Sequence, residues 1–159
     1  MESVINIATE ILKYEEGFRE GVYHCSEGYP TVGYGIKGGY KDQPLDDYRE
    51  FPKIPESVAS AWLSELLYGI LESLKKDPDL TYVLELDAVR MGVVISMCYQ
   101  VGVSGFKKFY RTNRLLKHGF YYEASVEMCD SLWFKQTPNR AKRHSSMIET
   151  GVLSKEYKV

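Results

Sequence analysis

Apolar positions recur at helical spacing from the start of the chain. Val4, Ile7, Ala8, Ile11 and Leu12 predict an amphipathic helix over 3–14, which Glu16 closes and Gly17 ends. The spacing then changes to alternation. Residues 18–37, with Gly28, Pro30, Gly33 and Gly35, read as a β-hairpin or small sheet. Residues 38–53 hold glycine, proline and acidic side chains and predict a loop or an irregular extra strand. The longest stripe follows: Val58, Trp62, Leu63, Leu66, Leu67, Ile70, Leu71 and Leu74 predict a helix over 55–76. Pro55 suits its first position and Asp77-Pro78 marks its stop. At 1.5 Å per residue such a helix is roughly 30 Å long, a strut between two lobes. Residues 86–101 are apolar nearly all round (Val89, Val93, Val94, Ile95, Met97, Cys98, Val101), as a buried central helix would be, and Gly102 with Gly105 closes it. Further helices are expected at 106–118, 121–134 and 138–150. The fold class is therefore α+β, mainly helical. Residues 1–56 form a small N-terminal lobe with the hairpin, 57–76 the connecting helix and 77–159 a helical C-terminal lobe, on which the first helix is expected to pack.

Composition narrows the class of partner. A chain of 159 residues, 44% hydrophobic and 26% charged, suits one domain or two small lobes. Its net charge of −2 supplies no global field for nucleic acid or an anionic membrane. The charge is uneven, however. Lys107, Lys108, Arg111, Arg114 and Lys117 are followed by Arg140, Lys142 and Arg143, whereas Asp42, Asp46, Asp47, Glu50 and Glu56 crowd an earlier segment. A basic lobe fits an anionic polymer, and a solvated helix face explains the same residues. Tyrosine, at 13 residues, supplies flat area with a hydroxyl handle, for sugar faces or for ordinary packing. Three cysteines without CxxC spacing and three scattered histidines argue against a disulfide framework and a zinc site, so no metal or cofactor is expected. No apolar run approaches the ~18 residues of a membrane span. The first twenty residues lack a leader-like apolar stretch, so cytoplasmic synthesis is the expectation.

The chemistry concentrates in Glu16, Cys25 and Thr31 around the glycine-rich hairpin. A carboxyl group at a helix end, facing strands that carry a second reactive group, suits glycoside hydrolysis. That reaction needs an acid for the leaving oxygen and a second group on the far side of the sugar. The segment Glu27-Gly28-Tyr29-Pro30-Thr31-Val32-Gly33-Tyr34-Gly35 resembles the active-site hairpin of the T-even phage lysozymes. So do the distant runs Leu86-Asp87-Ala88-Val89-Arg90, Gln100-Val101-Gly102 and Gln136-Thr137-Pro138-Asn139-Arg140-Ala141-Lys142-Arg143. The family signature is a glutamate, eight residues, an aspartate or cysteine, five residues and a threonine, which Glu16, Cys25 and Thr31 match.

The resemblance implies two lobes with a saccharide cleft between them. It implies cleavage of the β-1,4 bond between N-acetylmuramic acid and N-acetylglucosamine in peptidoglycan by a monomeric endolysin. Such an enzyme is made in the host cytoplasm and reaches the wall through a membrane-opening phage protein (a holin). Glu16 is then the general acid and needs partial burial to hold its proton near neutral pH. Cys25 with Thr31 activates a water, or Cys25 attacks the sugar itself. Thr31 lies across the hairpin from Cys25 if the turn centres on Glu27-Gly28. Arg140 steadies the Glu16 charge. Gly35, Lys37, Tyr99, Gln100, Thr112 and Glu127 are the substrate-binding candidates, with Gly33 and Gly35 leaving a strand face open to a sugar ring. Relatives often carry histidine where Ile36 stands, so the hairpin is expected to be held differently here.

Trp62, Trp133, Tyr121, Cys98 and Cys129 are assigned to the core. Two rival readings are a catalytically silent peptidoglycan-binding protein and a cysteine peptidase. The second lacks a histidine for Cys25, since His24 is adjacent on a strand and points to the opposite face.

Overall fold

The computed structural model describes residues 2–157. The chain is α+β and mainly helical. Two compact units divide it, one from Leu12 to Leu66 and the other from the chain up to Ile11 and from Leu67 onward. Helix α1, Glu2–Glu16, begins in the second unit and ends in the first, and α2, Glu56–Lys76, runs the opposite way.

In the Leu12–Leu66 unit, α1 ends at Gly17, whose φ of 67° needs no side chain and whose N–H reaches the Lys13 carbonyl at 3.2 Å. A three-stranded antiparallel sheet follows in the order β1 (Arg19–His24), β2 (Pro30–Gly33) and β3 (Ile36–Lys37). Tyr23 opposes Thr31, and Thr31 opposes Lys37, so these three form one cross-strand row. A bulge lies between Arg19 and Tyr23. Val32, Tyr34, Ile36, Ile54, Ala59 and Leu63 are among the buried residues of this unit. Ile36 is among them, so the hairpin is held there by apolar packing instead of a polar contact. The stretch 38–53 is a loop with one 3-10 turn, Leu45–Tyr48, and no strand.

Helix α2 spans the predicted residues but turns its face differently. Ala59, Leu63, Leu67, Leu71 and Leu74 are buried, while Val58, Trp62 and Leu66 are exposed. The assignment of Trp62 to the core is therefore corrected: the stripe was wider than the face one set of neighbours can cover. Pro55 precedes the helix, and its carbonyl receives the Ala59 N–H at 3.1 Å.

In the other unit, α3 (Ala88–Val101) is the buried helix that its all-round apolar sequence predicts, with every residue from Met91 to Cys98 inside. Asp87 caps it, accepting from the Val89 and Arg90 N–H groups at 3.1 Å each. Gly92 permits close contact with α1, because a Cβ there would meet Ile7 Cγ2 at 2.7 Å. After α3 come α4 (Val103–Lys107), α5 (Tyr110–Lys117), α6 (Tyr121–Cys129), α7 (Leu132–Gln136) and α8 (Pro138–Thr150), of which α4 and α8 pack on α3.

Two predicted helices are thus each broken in two. Gly102 at φ 77° ends α3, whereas Gly105 lies inside α4 instead of closing α3. Ser131 starts α7 by accepting from Phe134 N–H at 3.1 Å. Trp133 and Cys98 are buried as predicted. Cys129 is exposed, and Tyr121 is half-buried beneath the Arg90 guanidinium, 3.7 Å from its ring centre. Both corrections have one cause: α6 is amphipathic, and its buried positions are Ala124, Ser125 and Met128.

Candidate active site

Glu16, Cys25 and Thr31 all belong to the sheet-bearing unit. Glu16 is the last residue of α1 and is half-buried. Its carboxyl group lies against the backbone of the Tyr34-Gly35 turn. A Cβ at Gly35 would stand 2.7 Å from Glu16 Oε2 and 3.1 Å from its Cδ. Gly35 also has φ 72°, so the turn conformation and the carboxyl group both demand glycine. This corrects the open glycine face. The space at Gly35 belongs to Glu16, and that at Gly33 to Ala59, Ile54 and Ile36.

Cys25 follows the last residue of β1 and opens the turn: its N–H donates to the Tyr29 carbonyl at 3.0 Å, and its carbonyl accepts from Gly28 N–H at 2.9 Å. The register places Thr31 opposite Tyr23, so Cys25 pairs with Tyr29 and lies diagonal to Thr31. The expectation of a directly opposed pair is corrected, since the turn centres on Glu27. Both residues nevertheless share a face. Thr31 is 1% exposed and Cys25 is partly open to solvent. The Thr31 hydroxyl lies 2.8 Å from the Tyr29 carbonyl oxygen and also reaches the Cys25 sulfur; its single proton goes to one acceptor or the other, and given to the sulfur it favours the thiolate.

Burial pushes the Cys25 thiol up. The Thr31 hydrogen bond, backbone hydrogen bonds at Glu27 and Tyr29 and the Lys37 ammonium outweigh it, and the thiol rests below its ordinary value. Burial opposes the Lys37 charge too, but Glu27, Cys25 and Glu16 together hold that ammonium above its usual range. Lys37 pairs with Glu27 and lies 5.8 Å from the centre of the Tyr29 ring. Tyr23 is raised by burial, then by the nearby Glu16 and Cys25, with Arg19 opposing. Lys37 is a substrate-contact candidate from the sequence, whereas Tyr23 and Tyr29 carry no such signal in spacing alone. The strand register was the available signal, because it sets Tyr23, Thr31 and Lys37 in one row.

His24 is exposed and its Nε2 is 2.7 Å from the Gln43 carbonyl oxygen. It is engaged away from the Cys25 sulfur, which removes the base that a cysteine peptidase needs.

The remaining candidates belong to the helical unit. Tyr99 and Gln100 are half-buried near the end of α3, and Gln100 Oε1 accepts from Trp133 Nε1–H at 2.8 Å. Thr112 is 2% exposed, and with Glu127, Phe109, Tyr110 and Trp133 it lines a cavity of about 340 Å³. Glu127 faces Arg111 at 3.4 Å.

Arg140 is buried on α8. Its Nη2 donates to the Ser96 carbonyl at 3.2 Å and to Ser96 Oγ at 3.1 Å. Ser96 Oγ lies 2.8 Å from His144 Nε2. Burial, followed by Arg140, holds the imidazole well below its ordinary pKa, so it is neutral while hydrogen-bonded to Ser96. Among the described residues no group of three His, Cys, Asp or Glu side chains is placed to hold a metal ion, and no helix is long and apolar enough to cross a membrane.

A family model described as phage lysozyme matches residues 13–145, a span that includes Glu16, Cys25, Thr31 and all three distant runs. The chain belongs to the phage lysozyme family. Relatives extend the match over nearly the whole chain. Probable T4-type lysozyme 1 of Dictyostelium discoideum is 31% identical over 169 residues, covering 95% of this chain and 98% of that protein. Probable T4-type lysozyme 2 of the same organism is 28% identical, with 98% and 100% covered. The pre-baseplate central spike protein Gp5 of Enterobacteria phage T4 is 29% identical over 91% of this chain, but only 28% of its own length takes part. Family membership makes this lysozyme a glycosidase whose substrate class is peptidoglycan.

Proposed function

We propose that this lysozyme hydrolyses the β-1,4 bond between N-acetylmuramic acid and N-acetylglucosamine with Glu16 as general acid and Cys25 as the second group. The observation that carries the reading is that Tyr23 and Lys37 each interact electrostatically with both Glu16 and Cys25. Gly35 makes room for the Glu16 carboxyl, while Thr31 and Lys37 favour the thiolate of Cys25.

Glu16 gives its proton to the leaving glycosidic oxygen, and Cys25 takes a proton from the water that attacks the anomeric carbon. Thr31 is buried and its hydroxyl is already engaged by Tyr29 or Cys25. Its role is therefore to hold the sulfur and its proton balance, with the water meeting the partly exposed Cys25. Lys37 balances charge across the row. Tyr99, Gln100, Thr112 and Glu127 of the helical unit are assigned to the saccharide, and Arg140 to the charge of Glu16; these assignments rest on the family. The wider setting also rests on it: an endolysin that acts as a monomer, made in the host cytoplasm and reaching the wall through a holin.

The test is release of muropeptides and reducing ends from purified peptidoglycan under reducing conditions. Wild type is expected to release both, whereas Glu16→Gln and Cys25→Ser fall at least ~100-fold, the scale of losing positioned acid–base catalysis. Tight binding without release by wild type would replace the enzyme by a silent wall binder. A glycosyl adduct on Cys25 in mass spectra taken during turnover would replace water activation by nucleophilic attack.

A further inference from the structure

Apart from the residues assigned to glycoside hydrolysis, the helical unit has a cavity of about 490 Å³ lined by Arg111, Arg114, Leu115, His118 and Phe120. We propose that this cavity binds a phosphate group carried on a sugar or glycerol unit. The inference goes beyond the muramidase reading and stands without it.

Local sequence builds the cavity. Arg111, Arg114, Leu115 and His118 recur three and four apart, so they share one face of α5 and its end. Gly119 at φ 76° then reverses the chain, with its N–H on the Leu116 carbonyl at 3.1 Å and Phe120 N–H on the Leu115 carbonyl at 2.9 Å. The reversal turns Phe120, 54% exposed, onto the wall of the same cavity.

The charge of this cavity is not the average of a basic lobe. Lys107, at the head of the basic run, is neutralised by Asp77 and Asp79 at 2.9 and 2.8 Å. Arg114 and His118 make no ion pair among the described residues. Arg111 touches Glu127 only through Nε at 3.4 Å and keeps its other donors. Two guanidinium groups a helical turn apart, with an imidazole beyond them, suit a tetrahedral anion that accepts from several directions. A planar carboxylate is satisfied by one guanidinium fork. Leu115 and Phe120 add an apolar wall for the carbon skeleton that carries the phosphate. A merely solvated basic face would have neither the concavity nor that wall.

The experiment follows amide and arginine side-chain NMR signals of the full chain during titration with sn-glycerol 3-phosphate, with acetate, and with sodium chloride at matched ionic strength. Saturable shifts at Arg114, His118 and Phe120 with the phosphate ester are expected. Arg114→Gln weakens binding at least tenfold and Arg111→Gln with Arg114→Gln abolishes it. Arg114→Lys keeps the charge without the fork, and an intermediate loss is expected. Arg114 is exposed, and an unchanged far-UV CD spectrum confirms that each variant is folded. Equal response to acetate, shifts that follow ionic strength alone, shifts mapping elsewhere, or binding to phosphatidylglycerol vesicles without binding of the soluble ester would each overturn the proposal.

Discussion

A short list of neighbours holds the Cys25 thiol below its ordinary value, and each can be removed singly. Because hydrogen bonds and the Lys37 charge hold its thiol below the ordinary value, more thiolate is present at a given pH than an isolated cysteine would have. Cys98 is the internal contrast, buried and pushed up to about 12. Iodoacetamide at neutral pH is therefore expected to label Cys25 well before Cys98, read by peptide mass spectrometry. Thr31→Val is expected to move the Cys25 rate profile to higher pH, and an unmoved profile would remove Thr31 from the account.

Gly35 offers a second test at this scale. Gly35→Ala places a methyl group against Glu16, whereas Gly17→Ala, at φ 67°, meets nothing within 4 Å. Each carries the left-handed backbone strain of about 1–2 kcal/mol. Gly35→Ala is expected to lose much more peptidoglycan hydrolysis than its stability loss explains, with thermal unfolding of both variants as the reference. Neither the thiol's environment nor the glycine's collision was legible in the sequence. Spacing named Glu16, Cys25 and Thr31, but the turn centre that makes Cys25 diagonal to Thr31 depended on where the strands pair.

At the scale of elements, α2 shows how far periodicity reaches. Its length and both ends followed from a run of apolar residues between Pro55 and Pro78, because helix continuity is a local property. Which apolar residues go inside was not local. Leu63, Leu67, Leu71 and Leu74 are buried, and Trp62 is 40% exposed. Leu67→Ala is expected to cost about 2–5 kcal/mol in denaturant unfolding, the range for a buried leucine. Trp62→Ala is expected to cost less than ~1 kcal/mol despite the larger side chain, the scale of a surface substitution. A larger loss for Trp62 would mean that its ring is covered in solution. The breaks between α4 and α5 and between α6 and α7 were missed because their signals, the Lys108-Phe109 step and the Ser131 cap, are short interruptions inside amphipathic runs.

The whole molecule adds a dependence on pH through His144. This imidazole is fully buried beside Arg140 and bonded to Ser96, and its pKa lies well below the ordinary 6.5. The unfolded chain takes up a proton near that ordinary value and the folded chain does not. Stability is therefore full above about pH 6.5 and falls as pH drops below it, because the unfolded state then binds more protons. Urea unfolding at intervals from pH 7 to pH 5 is expected to show this decline, and His144→Leu is expected to flatten it. An equal slope in the variant would assign the acid sensitivity to other groups. Sequence marked His144 only as one of three scattered histidines, since burial of a single polar residue on α8 depends on α3 being packed against it.

Taken by itself, the sequence determined the α+β class, the order of the elements as far as α3, the glutamate at a helix end and the cysteine and threonine on a glycine-rich hairpin. Those features follow from interactions spanning a few residues: periodicity, turn residues and caps. Tertiary structure alone decided which face of α2 is buried, that Cys129 is outside, that Gly35 gives its space to Glu16, and that Arg140, Ser96 and His144 share one buried cluster. The last two depend on partners distant in sequence, Glu16 with the Gly35 turn and Ser96 on α3 with Arg140 and His144 on α8. Packing, not local preference, sets the burial, the dielectric environment and therefore the chemistry at such contacts.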